Sequence, residues 1–211
     1  MCAGKASRWK EKRGWKTWGN YLGVRKQLIK IGGEILLERT IRLLQKHNIS
    51  DILVTVHPEE DWFPVDVTQI PNKTEYEIER FYPSTGKTLY LYGDVFYTEE
   101  AINTIVNTDA VFFGRLGKSK VGGKGHSELF AVKGDAEMVA YHVNRVRNAL
   151  KKGECKRGIG WDLYKSWYNE PWKPERVKNK SHVVDINDAT DDFDKPKDYD
   201  KWIKNVYPTI K

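Results

Sequence analysis

The chain has 211 residues, 39% hydrophobic and 12% aromatic, with a formal charge of +7 at pH 7. That length suits one α/β domain, and that apolar share excludes wholesale disorder. No apolar run approaches the roughly 20 residues of a membrane span, no leader-like opening is present, and Cys2 and Cys155 cannot make a disulfide framework, so a cytoplasmic location is expected.

In chain order, residues 5–25 read as a long basic loop. Lys5, Arg8, Lys10, Lys12, Arg13 and Lys16 alternate with Trp9, Trp15 and Trp18, and Gly14, Gly19 and Gly23 break it. Loops this long in compact domains usually carry function. Basic-plus-aromatic suits either base stacking or a mobile cover over a nucleotide. The positive charge also fits a solvated lysine-rich surface or anionic substrates. The spacing of Leu37, Ile41 and Leu44 predicts a helix over 34–47, stopped by Asn48. Short apolar runs predict strands over 51–56, 65–70, 88–92, 109–113 and 127–132. Thr98 caps a predicted helix, and further helices are expected over 136–151, 161–167 and from 196, with a late strand over 182–186. Residues 116–125 read as a glycine- and lysine-rich connection.

Strands alternating with helices imply a three-layer α/β fold, a mostly parallel sheet with helices on both faces. We read residues 1–211 as one domain, with 1–114 forming mainly the nucleotide half and 115–211 the acceptor half. A phosphate loop in such a sheet follows a strand, yet only Met1 and Cys2 precede the first loop, so the first strand is missing or very short. An open slot there would invite pairing with another chain, which leaves a homodimer possible.

Three patterns carry chemistry. Ala3-Gly4-Lys5-Ala6-Ser7-Arg8 is a small loop whose N–H groups and basic residues suit a polyphosphate. Asp94, just past the strand at 88–92, stands where ligands of open α/β sheets bind. It is a metal-binding carboxylate or an ordinary turn residue. Asp185, Asp188, Asp191, Asp192 and Asp194 pack five carboxylates into ten residues, a solvated turn or a cation site. Gly86-Lys87-Thr88 and Gly117-Lys118-Ser119 lack the earlier glycine of a phosphate-binding P-loop. His126, Glu128 and Trp161 are candidates for the acceptor side.

In this order, the motifs resemble those of nucleotidyltransferases with the GT-A-like, MobA-like fold, the sugar-phosphate and cytidylyl transferases. The opening residues 1–8, then Arg25-Lys26-Gln27-Leu28, then Gly33-Glu34-Ile35-Leu36-Leu37-Glu38-Arg39 follow that family's first three motifs, and Gly93-Asp94-Val95 and Asp192-Phe193-Asp194-Lys195-Pro196-Lys197-Asp198-Tyr199 its later two. Ala6 stands for the second glycine of the loop and Arg25 for a proline. The resemblance implies a Rossmann-like nucleotidyltransferase fold and an Mg²⁺-dependent transfer of NMP from an NTP, CTP favoured, to a phosphorylated small-molecule acceptor, with release of pyrophosphate. It further implies a place in surface-polysaccharide precursor synthesis, and neither nucleic acid nor a membrane as partner. By position, Ala3, Gly4, Lys5, Ser7, Arg8 and Lys26 would hold the NTP, with Lys26 and Arg8 assisting catalysis, and Asp94 and Asp194 would bind the metal, with Asp192 as a competing ligand. A glycosyltransferase using a nucleotide sugar and a non-enzymatic nucleotide or nucleic-acid binder are the alternatives.

Overall fold

The computed structural model describes residues 1–2, 9, 21–58, 62–81, 83–119 and 126–210. Strands β1 (Lys30–Ile31) and β2 (Glu34–Ile35) form a hairpin. Gly32 and Gly33 turn it with φ of 62° and 89°, the backbone a tight two-residue hairpin turn requires. The predicted helix therefore starts two residues late: α1 spans Leu36–Lys46 and buries Leu36, Leu37, Ile41, Leu43 and Leu44. Asn48 ends it in the left-handed region, φ 61°.

Strand β3 (Leu53–Val56) pairs parallel with β4 (Thr68–Pro71). Pro71, expected to end that strand, is its last residue, tolerated because β4 is an edge. Strand β5 (Lys87–Leu91) is followed by β6 (Val95–Phe96) and α2 (Glu99–Asn107), and the Thr98 hydroxyl accepts from Ala101 N at 2.9 Å as its cap. Next come β7 (Phe112–Arg115), β8 (Glu128–Asp135) and α3 (Ala136–Lys151). The Asp135 carboxylate caps α3, so β8 runs into the helix without a loop. Helix α4 (Gly160–Trp167), β9 (Val183–Asp185), β10 (Asp191–Asp192) and α5 (Pro196–Asn205) complete the chain.

A four-stranded sheet has the order β5-β8-β7-β9. Strands β7 and β9 are parallel, and β8 runs against both its neighbours. Met1 and Cys2 join it to the β3–β4 pair. The Met1 nitrogen donates to Leu91 O at 2.5 Å, Gly93 N donates to Met1 O at 3.1 Å, and Cys2 N donates to Thr55 O at 3.1 Å. That pattern is a parallel pairing. Met1 and Cys2 thus occupy the place where a slot was expected, bridging β3 and the end of β5.

The sheet's two faces bury different clusters, as alternating strand residues require, except that a bulge in the β7–β8 register leaves Phe130 on the same side as Ala131. Phe112 and Val132 pack with α3 and α4, whereas Phe113, Phe130 and Ala131 pack with Leu43 of α1 and with Ala101, Ile102 and Ile105 of α2. Each such large side chain contributes about 1.5–3 kcal/mol by leaving water. A third cluster holds Trp9, Phe96, Phe193 and Trp202. Trp9 is fully buried and its Nε1 donates to Val24 O at 3.2 Å. It is therefore a core anchor and not the stacking platform that the basic-aromatic pattern allowed. Among the described residues no helix is long and apolar enough to cross a membrane.

Candidate active site

The acidic run is sorted by the strand it forms. Strand β10 pairs antiparallel with β6, with Asp192 opposite Val95, and Phe193 N donates to Asp94 O at 3.1 Å. This pairing lays residues 191–194 beside Asp94. Phe193 points into the core, so Asp192 and Asp194 flank it on the opposite side.

Three of the five carboxylates hold the scaffold. Asp185 accepts from Leu116 N at 2.8 Å. Asp188 accepts from Thr190 N at 2.7 Å and from the Thr98 hydroxyl, bracing the cap of α2. Asp191 is buried and takes Arg115 Nη1 on one oxygen and the Ser119 hydroxyl on the other. Asp192 and Asp194 are left, and both line a cleft of about 880 Å³ that Asp94, Glu128 and Lys26 also line. The cleft opens beyond the carboxyl ends of β5 and β7, where open α/β sheets bind ligands.

Lys26 sits on a short 3₁₀ turn (Lys26–Leu28) and its ammonium pairs with Asp94 Oδ2. Burial pushes the Asp94 carboxyl up, but the Lys26 charge and hydrogen bond outweigh it, with Arg80 assisting, and hold it below the usual range. Among the described residues, Asp192 has no such cation. Burial drives its carboxyl well above the usual range, and Glu128, Asp194, Asp94 and Asp191 push the same way. Burial also lifts Glu128 to about 7; the Asp194 and Glu77 charges add to this, while His126 and Arg115 oppose it.

His126 Nε2 lies 2.5 Å from Glu128 Oε1. Trp161, at the start of α4, lines the same cleft, with the Lys180 ammonium 5.6 Å from its ring centre. All three acceptor-side candidates thus share the cleft with Asp94, Asp192 and Asp194. Ala3, Gly4, Lys5, Ser7 and Arg8 lie outside the described residues.

Among the described residues, no three His, Cys, Asp or Glu side chains gather as a metal cage. Mg²⁺ does not need one: it typically takes one or two carboxylates and completes its shell with substrate phosphates and water. Crowded carboxylates, one of them pushed toward its neutral form, fit a divalent ion that supplies the missing charge.

Sequence reading missed the far wall. Glu77 Oε1 accepts from the Tyr92 hydroxyl at 2.8 Å and from Gly160 N, at the start of α4, at 2.9 Å. Thr74, Arg80, Arg157, Arg176 and Lys180 line the cleft too. Segment 72–86 carries no motif, so nothing in its spacing singled out Thr74, Glu77 or Arg80.

No family model matches the sequence, and no curated protein matches it. Solved structures do. The CTP:phosphocholine cytidylyltransferase of Streptococcus pneumoniae aligns with 100% of this chain and 96% of its own, at 14% identity and a TM-score of 0.55. A protein assigned as a glucose-1-phosphate thymidylyltransferase, from Bacillus anthracis and in complex with a sucrose, aligns with 96% of this chain and 92% of its own, at 10% identity and a TM-score of 0.60. The chain has the nucleotidyltransferase fold. Within that fold, the short β6–β10 pairing brings the mid-chain and late acidic motifs to one cleft.

Proposed function

We propose that the protein is an Mg²⁺-dependent nucleotidyltransferase that moves NMP from an NTP to a phosphorylated small molecule and releases pyrophosphate. The observation that carries this reading is the convergence of Asp94, Asp192 and Asp194 on one cleft with Lys26. The two structural neighbours act as nucleotidyltransferases by name, and the cytidylyltransferase matches over the full chain, which favours CTP as donor. A role in making surface-polysaccharide precursors is the pathway this reading suggests.

Asp94, Asp192 and Asp194 would hold the metal, which supplies charge neutralisation at the phosphates when bound. Lys26, with Arg8 and the loop of Ala3, Gly4, Lys5 and Ser7, would cradle the triphosphate. His126, Glu128 and Trp161 would line the acceptor's place. A phosphate oxygen of the acceptor forms the new bond to the α-phosphorus while the bond to pyrophosphate breaks. That oxygen is already anionic at pH 7, so no side chain must remove a proton. Positioning and electrostatics carry the rate.

The test is pyrophosphate release from CTP, UTP, GTP and ATP with a panel of phosphorylated acceptors including phosphocholine and glucose 1-phosphate. Wild type releases pyrophosphate only with an acceptor and Mg²⁺, and Asp94→Ala loses at least about a hundredfold in rate. Unchanged turnover by Asp94→Ala contradicts the reading.

A further inference from the structure

The cleft is also lined by an arginine, Arg80, whose Nε has no hydrogen-bond partner among the described residues. Arg80 ends a 3₁₀ turn (Glu77–Arg80) whose place is fixed from several sides. Ile78 N donates to Gly158 O at 3.0 Å, Gly160 N donates to Glu77 Oε1 at 2.9 Å, and Asn72 Nδ2 donates to Glu79 O at 3.3 Å. The carboxylates beside Arg80 are engaged elsewhere. Glu77 takes the Tyr92 hydroxyl and Gly160 N, while Glu79 takes Glu75 N at 2.9 Å, Tyr76 N at 3.0 Å and Arg147 Nε at 3.4 Å.

Arg80 Nε is buried with no hydrogen-bond partner among the described residues, and so is Thr74 Oγ1. Both residues line the cleft that holds Asp94 and Lys26. A buried donor left unmade costs about 1–3 kcal/mol, and native structures rarely keep such groups without a use. Asp94 and Tyr92 line the same cleft as Arg80, and the Arg80 charge lowers the pKa of both groups.

We propose that Arg80 and Thr74 form an anion subsite that binds phosphate oxygens of a reacting ligand, in the cleft that Lys26 also lines. A guanidinium offers a planar fork that matches phosphate geometry, and a threonine hydroxyl adds a rotatable donor. This deepens the transferase reading and rests on it. The phosphate belongs either to the acceptor or to the NTP; both present the same chemistry to the fork. The turn's hydrogen bonds to the segment that leads to Trp161 favour the acceptor.

Calorimetric titration with inorganic phosphate tests the subsite without needing turnover. Arg80→Ala should weaken phosphate binding roughly tenfold or more, and Thr74→Val less. Arg80→Lys should recover part of it, keeping the charge but not the fork. Lys46→Ala, which removes a positive charge paired with Glu99 away from the cleft, should leave it unchanged. Equal phosphate affinity in wild type and Arg80→Ala, with both melting alike, overturns the proposal. Where turnover is measured, a raised KM for the acceptor alone assigns the subsite to the acceptor, and a raised KM for the NTP alone assigns it to the donor. Absence of all turnover contradicts the transferase reading while the phosphate titration still decides the subsite.

Discussion

Asp192 is the residue at which stability and activity oppose one another. It is a half-buried carboxyl with four acidic neighbours acting on it, an arrangement that costs free energy unless a cation is supplied. Asp192→Asn keeps the shape and removes the charge. Without divalent ions the variant should melt a few degrees higher than wild type, on the order of 1 kcal/mol, and its transferase rate should collapse; differential scanning calorimetry beside a pyrophosphate assay measures both. Gly93 is a residue with a purely steric role. A Cβ there would stand 2.2 Å from Cys2 Sγ and 3.2 Å from Met1 O. Gly93→Ala should therefore destabilise by about 1–3 kcal/mol, and pairing it with Cys2→Ala should recover part of the loss, a coupling that a double-mutant cycle in urea reads directly.

The elements show which parts of the site were legible in the sequence. Helix and strand periods placed α1, α2, α3, β5 and α5 to within a few residues, because an apolar face and a cap both write themselves into spacing. Hairpin β1–β2 was not foreseen, since two residues per strand leave no period; only Gly32-Gly33 marks it. The acidic run was visible as charge, but its division of labour was not. Which carboxylate braces Thr98, which meets Arg115 and which faces the cleft depends on the β6–β10 pairing, a contact between segments almost a hundred positions apart. Arg80 and Thr74 were invisible for the same reason: their neighbours come from 158–160 and from the end of β5. The Asp188–Thr98 contact makes a prediction at this scale. Thr98→Ala removes the cap of α2 and the hydroxyl held by Asp188, and should cost about 1–2 kcal/mol in chemical denaturation, with Mg²⁺ binding retained.

For the whole molecule, the cleft couples stability to pH and to divalent ions. The Glu128 carboxyl rises from 4.5 to about 7 on folding. The folded chain thus keeps a proton that the unfolded chain has lost between those values. Stability is full below about pH 4.5 and declines as pH climbs toward 7. At about 1.4 kcal/mol per unit the loss from this group is on the order of 3 kcal/mol. Thermal melts without metal should fall across that window in wild type and flatten in Glu128→Gln, and Mg²⁺ should raise the melting point more at pH 8 than at pH 5. The central claim is that the mid-chain and late acidic motifs serve a single divalent ion beside the nucleotide. Electron paramagnetic resonance of Mn²⁺ titrated with CTP present tests it most directly. The account predicts nucleotide-enhanced Mn²⁺ binding that both Asp94→Asn and Asp192→Asn weaken at least about tenfold; wild-type Mn²⁺ affinity in both variants would contradict it.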